Sequence, residues 1–122
     1  MKAQDLIAKA ISFNGYPEKE SNQDLTDPSA NPGDENYTLF NELYGELMGV
    51  KAQGWYWCAI YVSIMFYLAC GKNLAIAKKA LCGNLFASCA AGVAQFKKAK
   101  RFFLTPEPGD VIFFVDKNGR VS

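Results

Sequence analysis

The chain has 122 residues and a net charge of +1, with half its residues apolar and a fifth charged. That is the balance of one globular domain with a modest core, and it carries no electrostatic footprint for nucleic acid. The longest apolar run, Trp55 to Cys70, is too short to span a bilayer and contains Ser63.

Residues 3–13 place Leu6, Ile7, Ala10 and Ile11 on one face, which predicts a first helix. No long apolar segment precedes it, so no signal peptide is expected, and a cytoplasmic chain with free thiols follows. Asn14-Gly15 stops the helix and Pro17 prevents a restart. Residues 17–36 are polar and rich in turn formers, a loop long enough to suggest a purpose. Asp24, Asp27, Asn31, Asp34 and Glu35 are hard oxygen ligands and weak calcium candidates. Their spacing does not match an EF-hand loop, and a solvated polar loop is the plainer reading, with no cofactor expected.

A second helix is predicted over 37–48, with Leu39, Phe40, Leu43, Tyr44 and Leu47 apolar and Gly49 ending it. A third, over 57–70, is apolar on every side and should be the central buried element. Helices over 74–82 and 85–100 follow, split near Gly83-Asn84. The later one has Phe86, Cys89, Val93 and Phe96 on one face. Lys97, Lys98, Lys100 and Arg101 at its end read as cations at a helix C-terminus, with a weak polyanion contact as the alternative. Pro106 to Asp110 reads as a turn, 110–116 as a strand through Val111-Ile112-Phe113-Phe114-Val115, and Asp116-Lys117-Asn118-Gly119 as a hairpin turn. The expected fold class is therefore α+β, a helical lobe packed on an antiparallel sheet that begins near Val111. A buried strand needs a partner, so the sheet is expected to continue past Ser122 or to be completed by another chain. On that reading residues 1–122 are the N-terminal portion of a single domain.

The four cysteines show no CxxC spacing, and the chain has no histidine, so zinc is not expected. Cys70, Cys82 and Cys89 lie in apolar helical segments and read as small core residues. Cys58 differs, because a Gly-aromatic loop, Gly54-Trp55-Tyr56-Trp57, delivers it to the start of the third helix. A helix N-terminus favours a thiolate and offers unpaired backbone N–H groups to an oxyanion. The bland alternative is that Cys58 packs like Cys70. A thiolate nucleophile normally also needs a histidine base.

Trp57-Cys58-Ala59-Ile60-Tyr61-Val62-Ser63 resembles the W-C-A-x-[FY]-V-S signature of CHAP-type cysteine amidases and peptidases, relatives of the NlpC peptidases. Gly15-Tyr16-Pro17-Glu18-Lys19, Asn36-Tyr37-Thr38, Ala87-Ser88-Cys89 with Phe96-Lys97-Lys98, and Pro108-Gly109-Asp110-Val111-Ile112-Phe113-Phe114 resemble other segments of that family in the same order. The resemblance implies a papain-like fold and hydrolysis of amide bonds in bacterial peptidoglycan, as in phage or prophage lysins released from the cytoplasm. It makes Cys58 the nucleophile and, through its N–H, an oxyanion donor. Gln53 and Tyr56 become candidate second donors or groove residues, and Trp55 and Trp57 candidate substrate contacts. It leaves room for a C-terminal wall-binding domain in a longer parent. The family's histidine is expected just after Val121-Ser122, so the 122 residues alone are expected to lack hydrolase activity. The competing readings are a catalytically dead wall-binding or assembly module and an unrelated helical scaffold.

Overall fold

The computed structural model describes residues 1–122 and contains five helices: α1 (Ala3–Ser12), α2 (Leu39–Met48), α3 (Cys58–Ala69), α4 (Leu74–Ala80) and α5 (Cys89–Lys98). The sequence of α3, CAIYVSIMFYLA, has no charge and no polar face, so it must be covered all round. It is: α3 packs against each of the other four helices. Ala59, Ile60, Ser63, Ile64, Met65 and Phe66 are buried along it. The rest of the core comes from Phe40 and Tyr44 of α2, Ala77 and Leu81 at α4, and Leu85 and Phe86.

The helix ends follow local chemistry. Thr38, Asn73 and Ser88 cap α2, α4 and α5, each side chain accepting a backbone N–H three residues on. Gly49 closes α2 at φ 70°, a left-handed conformation that glycine adopts without steric cost. The segment expected to be helical from residue 85 turns helical only at Cys89. The cause is Ser63, buried on α3. Its Oγ accepts from Phe86 N–H at 3.0 Å and donates to the Phe86 carbonyl at 2.9 Å. Both backbone groups of Phe86 are thereby taken from any helical ladder.

The α+β expectation is corrected. The fold is helical and contains no sheet, and the antiparallel sheet expected to begin near Val111 is not formed. Bridges are isolated: Lys19 to Pro32 and Tyr37, and Val115 to Val121. The expected turn does form. Asp116 accepts from the N–H groups of Asn118 and Arg120 at 2.8 Å, and Phe114 and Ser122 exchange two backbone bonds of 2.8 Å. Only Arg120 to Ser122 lie opposite Phe114 to Asp116, which makes three backbone bonds rather than an extended ladder. Val111 and Phe113 are held against the helices, and Phe113 meets the rings of Phe86 and Phe96 at 6.3 and 6.1 Å. Ile112, Phe114 and Val115 point outward and are exposed. From Val111 to Phe114 the alternation is that of a strand, without the neighbour that would make it one.

Residues 17–36 are organised by a buried cation. Lys19 is fully buried. Its ammonium donates to the carbonyls of Asp27 and Ala30 and lies 5.0 Å from the Tyr16 ring centroid. Asp24 and Asn31 take positive φ, which Asx residues tolerate, so that the loop can wrap around it. Lys19→Met is expected to strand both carbonyls and to lower stability by about 2 kcal/mol, read by urea denaturation. An unchanged midpoint would show that the loop holds its shape without the ammonium.

Candidate active site

Cys58 is the first residue of α3, and its side chain is exposed. The preceding Trp57 makes no side-chain cap, so nothing from the N-cap residue covers the first N–H groups of α3. Those groups have no intrahelical partner, and they are the donors an oxyanion beside Cys58 would use.

Cys58 lies on a groove of about 860 Å³. Its walls are largely apolar, with Phe13, Tyr16, Phe40, Tyr56, Trp57 and Tyr61 supplying the aromatic surface. Phe40 is fully buried at its base. Trp57 stacks on it at 5.8 Å and 14°, while Phe13, Tyr16 and Tyr61 pack edge-on at 5.1, 5.1 and 4.9 Å. Burial pushes the Tyr16 and Tyr61 phenols up, so both remain protonated donors. Tyr16 donates to the Leu25 carbonyl and Tyr61 to the Ala10 carbonyl, which spans α1 and α3.

Glu18 is the acidic group of the groove lining. One carboxylate oxygen accepts Trp57 Nε1–H at 2.9 Å, and the other accepts Asn36 N–H at 3.1 Å. The indole beside Cys58 is thus pinned from a loop 39 residues away in sequence. Asn41 performs the same task from α2. It is fully buried, and its Nδ2 donates to the Ala52 and Trp55 carbonyls at 2.9 and 3.0 Å. The loop carrying Cys58 is therefore fixed at two points.

Of the residues singled out in the sequence, Cys58, Tyr56 and Trp57 come together at the groove. Tyr56 is mostly exposed on its rim. Trp55 and Gln53 do not line it. Gln53 is held elsewhere: its Oε1 accepts Thr38 N–H at 3.0 Å, and its Nε2 donates to the Thr38 carbonyl at 2.9 Å and to Asn22 at 3.0 Å. Its amide clamps the start of α2 and is not free to meet an oxyanion. Asp24, Asp27 and Asp34 do not converge, and no three His, Cys, Asp or Glu side chains cluster to hold a metal ion. Asp27 instead accepts from the N–H and hydroxyl of Ser29, and these bonds lower its pKa. No helix is long and apolar enough to cross a membrane. At the end of α5, the Lys97 ammonium lies 5.0 Å from the Phe102 ring centroid, so part of the basic cluster is engaged within the chain.

The roles of Glu18, Lys19 and Asn41 are not visible in the sequence alone. The Gly15–Lys19 motif drew attention to the first two, but nothing local says that one pins an indole and the other anchors a loop. Cys89, read as core, instead lies half-buried with its sulfur 3.7 Å from that of Cys58. Burial pushes the Cys89 thiol up to about 11, and the hydrogen bond and charge of Cys58 push in the same direction. Cys89 therefore keeps its proton at neutral pH and can donate it toward Cys58.

No protein-family model, curated protein or solved structure matches the chain.

Proposed function

We propose that Cys58 is the nucleophile of a CHAP-type cysteine amidase or endopeptidase that acts on bacterial peptidoglycan. The observation that carries the reading is an exposed thiol at the uncapped start of α3, on the edge of an aromatic groove large enough for a peptide segment. In this chemistry the Cys58 sulfur adds to the amide carbonyl, and the first N–H groups of α3 hold the oxygen as it becomes anionic. The C–N bond then breaks, the amine leaves with a proton, and the acyl group remains on sulfur as a thioester. Water releases it in a second step. Both proton transfers call for a base near Cys58. The 122 residues contain no histidine to serve as that base. The chain by itself is expected to acylate without turning over.

A second reading, a wall-binding module without catalysis, is favoured by that same missing base. The two separate in one experiment on the chain itself. It is treated with p-nitrophenyl esters of N-acetylalanine and of the lactyl carboxyl of N-acetylmuramic acid, with p-nitrophenyl acetate as a non-wall control. The catalytic reading predicts a saturable burst of about one equivalent with a wall-derived ester, competed by soluble muropeptides. Muropeptide binding with no burst supports the binding module. Equal reaction with p-nitrophenyl acetate and no competition would remove both readings and leave an ordinary exposed thiol. Which wall-derived ester reacts distinguishes a sugar–peptide amidase from an endopeptidase.

A further inference from the structure

Cys58 and Cys89 are each the first residue of a helix, α3 and α5. Their sulfurs are 3.7 Å apart although the residues are 31 positions apart in sequence. A disulfide bond is about 2.05 Å long, so closing this pair requires about 1.6 Å of approach. A change of χ1 between staggered wells moves a sulfur by about 3 Å, enough to supply it. The pair is also specific. The sulfur of Cys70 meets Met1 Sδ at 3.6 Å, away from the groove. Cys82 and Cys89 are closer in sequence than Cys58 and Cys89, so chain statistics alone would join those two first. The fold brings together a different pair.

We propose that Cys58 and Cys89 form a reversible disulfide that closes the groove thiol when the protein meets a small-molecule disulfide such as oxidised glutathione. The two thiols divide the work by exposure. Cys58 is exposed and reacts first, and Cys89 is half-buried beside it and resolves. In the first step the Cys58 thiolate attacks one sulfur of glutathione disulfide. The S–S bond breaks, a Cys58–glutathione mixed disulfide forms, and one glutathione leaves as thiolate. In the second step Cys89 gives its proton to water and attacks the Cys58 sulfur. The mixed disulfide breaks, the Cys58–Cys89 bond forms, and a second glutathione thiolate leaves. Two protein thiols lose two electrons, one glutathione disulfide gains them, and the two released thiolates take up the two protons.

The order of steps is favoured by the pair itself. Two of the three causes that raise Cys89, the hydrogen bond and the charge of Cys58, disappear when Cys58 is capped. Cys89 becomes easier to ionise at the moment its attack is needed. Formation of the disulfide does not depend on the peptidoglycan reading, but its consequence does: if Cys58 is the nucleophile, oxidation switches the site off and reduction restores it.

The test equilibrates the native 122-residue chain in buffers of stepped glutathione to glutathione-disulfide ratio, followed by acid quench, thiol count and non-reducing peptide mapping. Free thiols are expected to fall from four to two, with the Cys58 and Cys89 peptides joined and no glutathione retained. In Cys89→Ser the second step is blocked, so Cys58 is expected to keep glutathione as a stable mixed disulfide. Cys89→Ala gives the same readout if serine disturbs the start of α5. The proposal is overturned if wild-type Cys58 keeps glutathione without crosslinking, or if the crosslink joins Cys70 or Cys82. It is also overturned if the chain unfolded in urea yields the same pair as readily, because the preference would then not come from the fold.

Discussion

Cys58→Ala is expected to erase the acyl burst, lowering p-nitrophenolate release at least about 10³-fold while leaving stability within about 0.5 kcal/mol of wild type. The two halves of this expectation have separate causes. Cys58 carries the only thiol among the groove-lining side chains, and a thiolate is the strongest nucleophile available there. Its neighbour Cys89 is no substitute, because its thiol is pushed up to about 11 and stays protonated near neutral pH. The side chain is exposed and makes no hydrogen bond apart from the one to Cys89, so its loss removes little packing. Alanine is also the best helix former, and α3 should begin where it does now. A variant that keeps the burst would move the chemistry away from Cys58. One that loses it by unfolding would show a shifted thermal midpoint, and the claim would have no support from it.

Asn41→Leu is the second large effect. It should cost about 3 kcal/mol and slow acylation of Cys58 about tenfold or more under conditions where the variant is still folded. Asn41 is fully buried and uses both ends of its amide. Its Oδ1 accepts the Thr38 hydroxyl at 2.6 Å, and its Nδ2 serves the Ala52 and Trp55 carbonyls. Leucine keeps the branching of the side chain but leaves the hydroxyl and both carbonyls short of a partner, each costing about 1–3 kcal/mol where water is excluded. Stability falls for that reason. Acylation falls for another: residues 52–57 lose the bonds that fix them against α2, and Cys58 follows that loop. Urea denaturation with an unchanged m-value reads the first effect and burst kinetics the second. A fully stable Asn41→Leu would mean that the loop is held by its aromatic packing alone.

The helical part of the fold was legible where a local pattern decides it. Twelve residues of α3 without a charge announce a buried helix, and Gly49 and Gly71 mark where helices stop. The pattern failed at residues 85–88 because the competing force comes from α3: the Ser63 hydroxyl captures the backbone of Phe86. It failed more seriously at residues 110–116. Val111 to Val115 has strand composition, and as far as Phe114 even strand alternation, but a strand is defined by what pairs with it. Here that is one bridge, Val115 to Val121, and the fold class changes accordingly.

The site divides along the same line. Cys58 and Trp57 could be read because a helix start and an aromatic loop are local features. Glu18, Lys19 and Asn41 could not, because a polar residue in or near a loop looks solvated until its partners are known. Lys19 is the clearest example. A lysine among acidic and amide residues suggests a surface, yet it is fully buried and ties down the loop that was weighed as a calcium site. Gln53 errs in the other direction, since both ends of an amide that looked available are bound to Thr38 and Asn22. The pairing of Cys58 with Cys89 arises from the crossing of α3 and α5, which no spacing rule encodes.

The central claim is that Cys58 stands apart from the other thiols because of where α3 begins and what the groove holds. It is tested most directly by measuring iodoacetamide alkylation of each of the four cysteines near neutral pH, with and without soluble muropeptides. Cys58 is expected to react fastest, and muropeptides are expected to protect it alone in a saturable manner. Equal, slow alkylation of all four cysteines, unchanged by muropeptides, would contradict it.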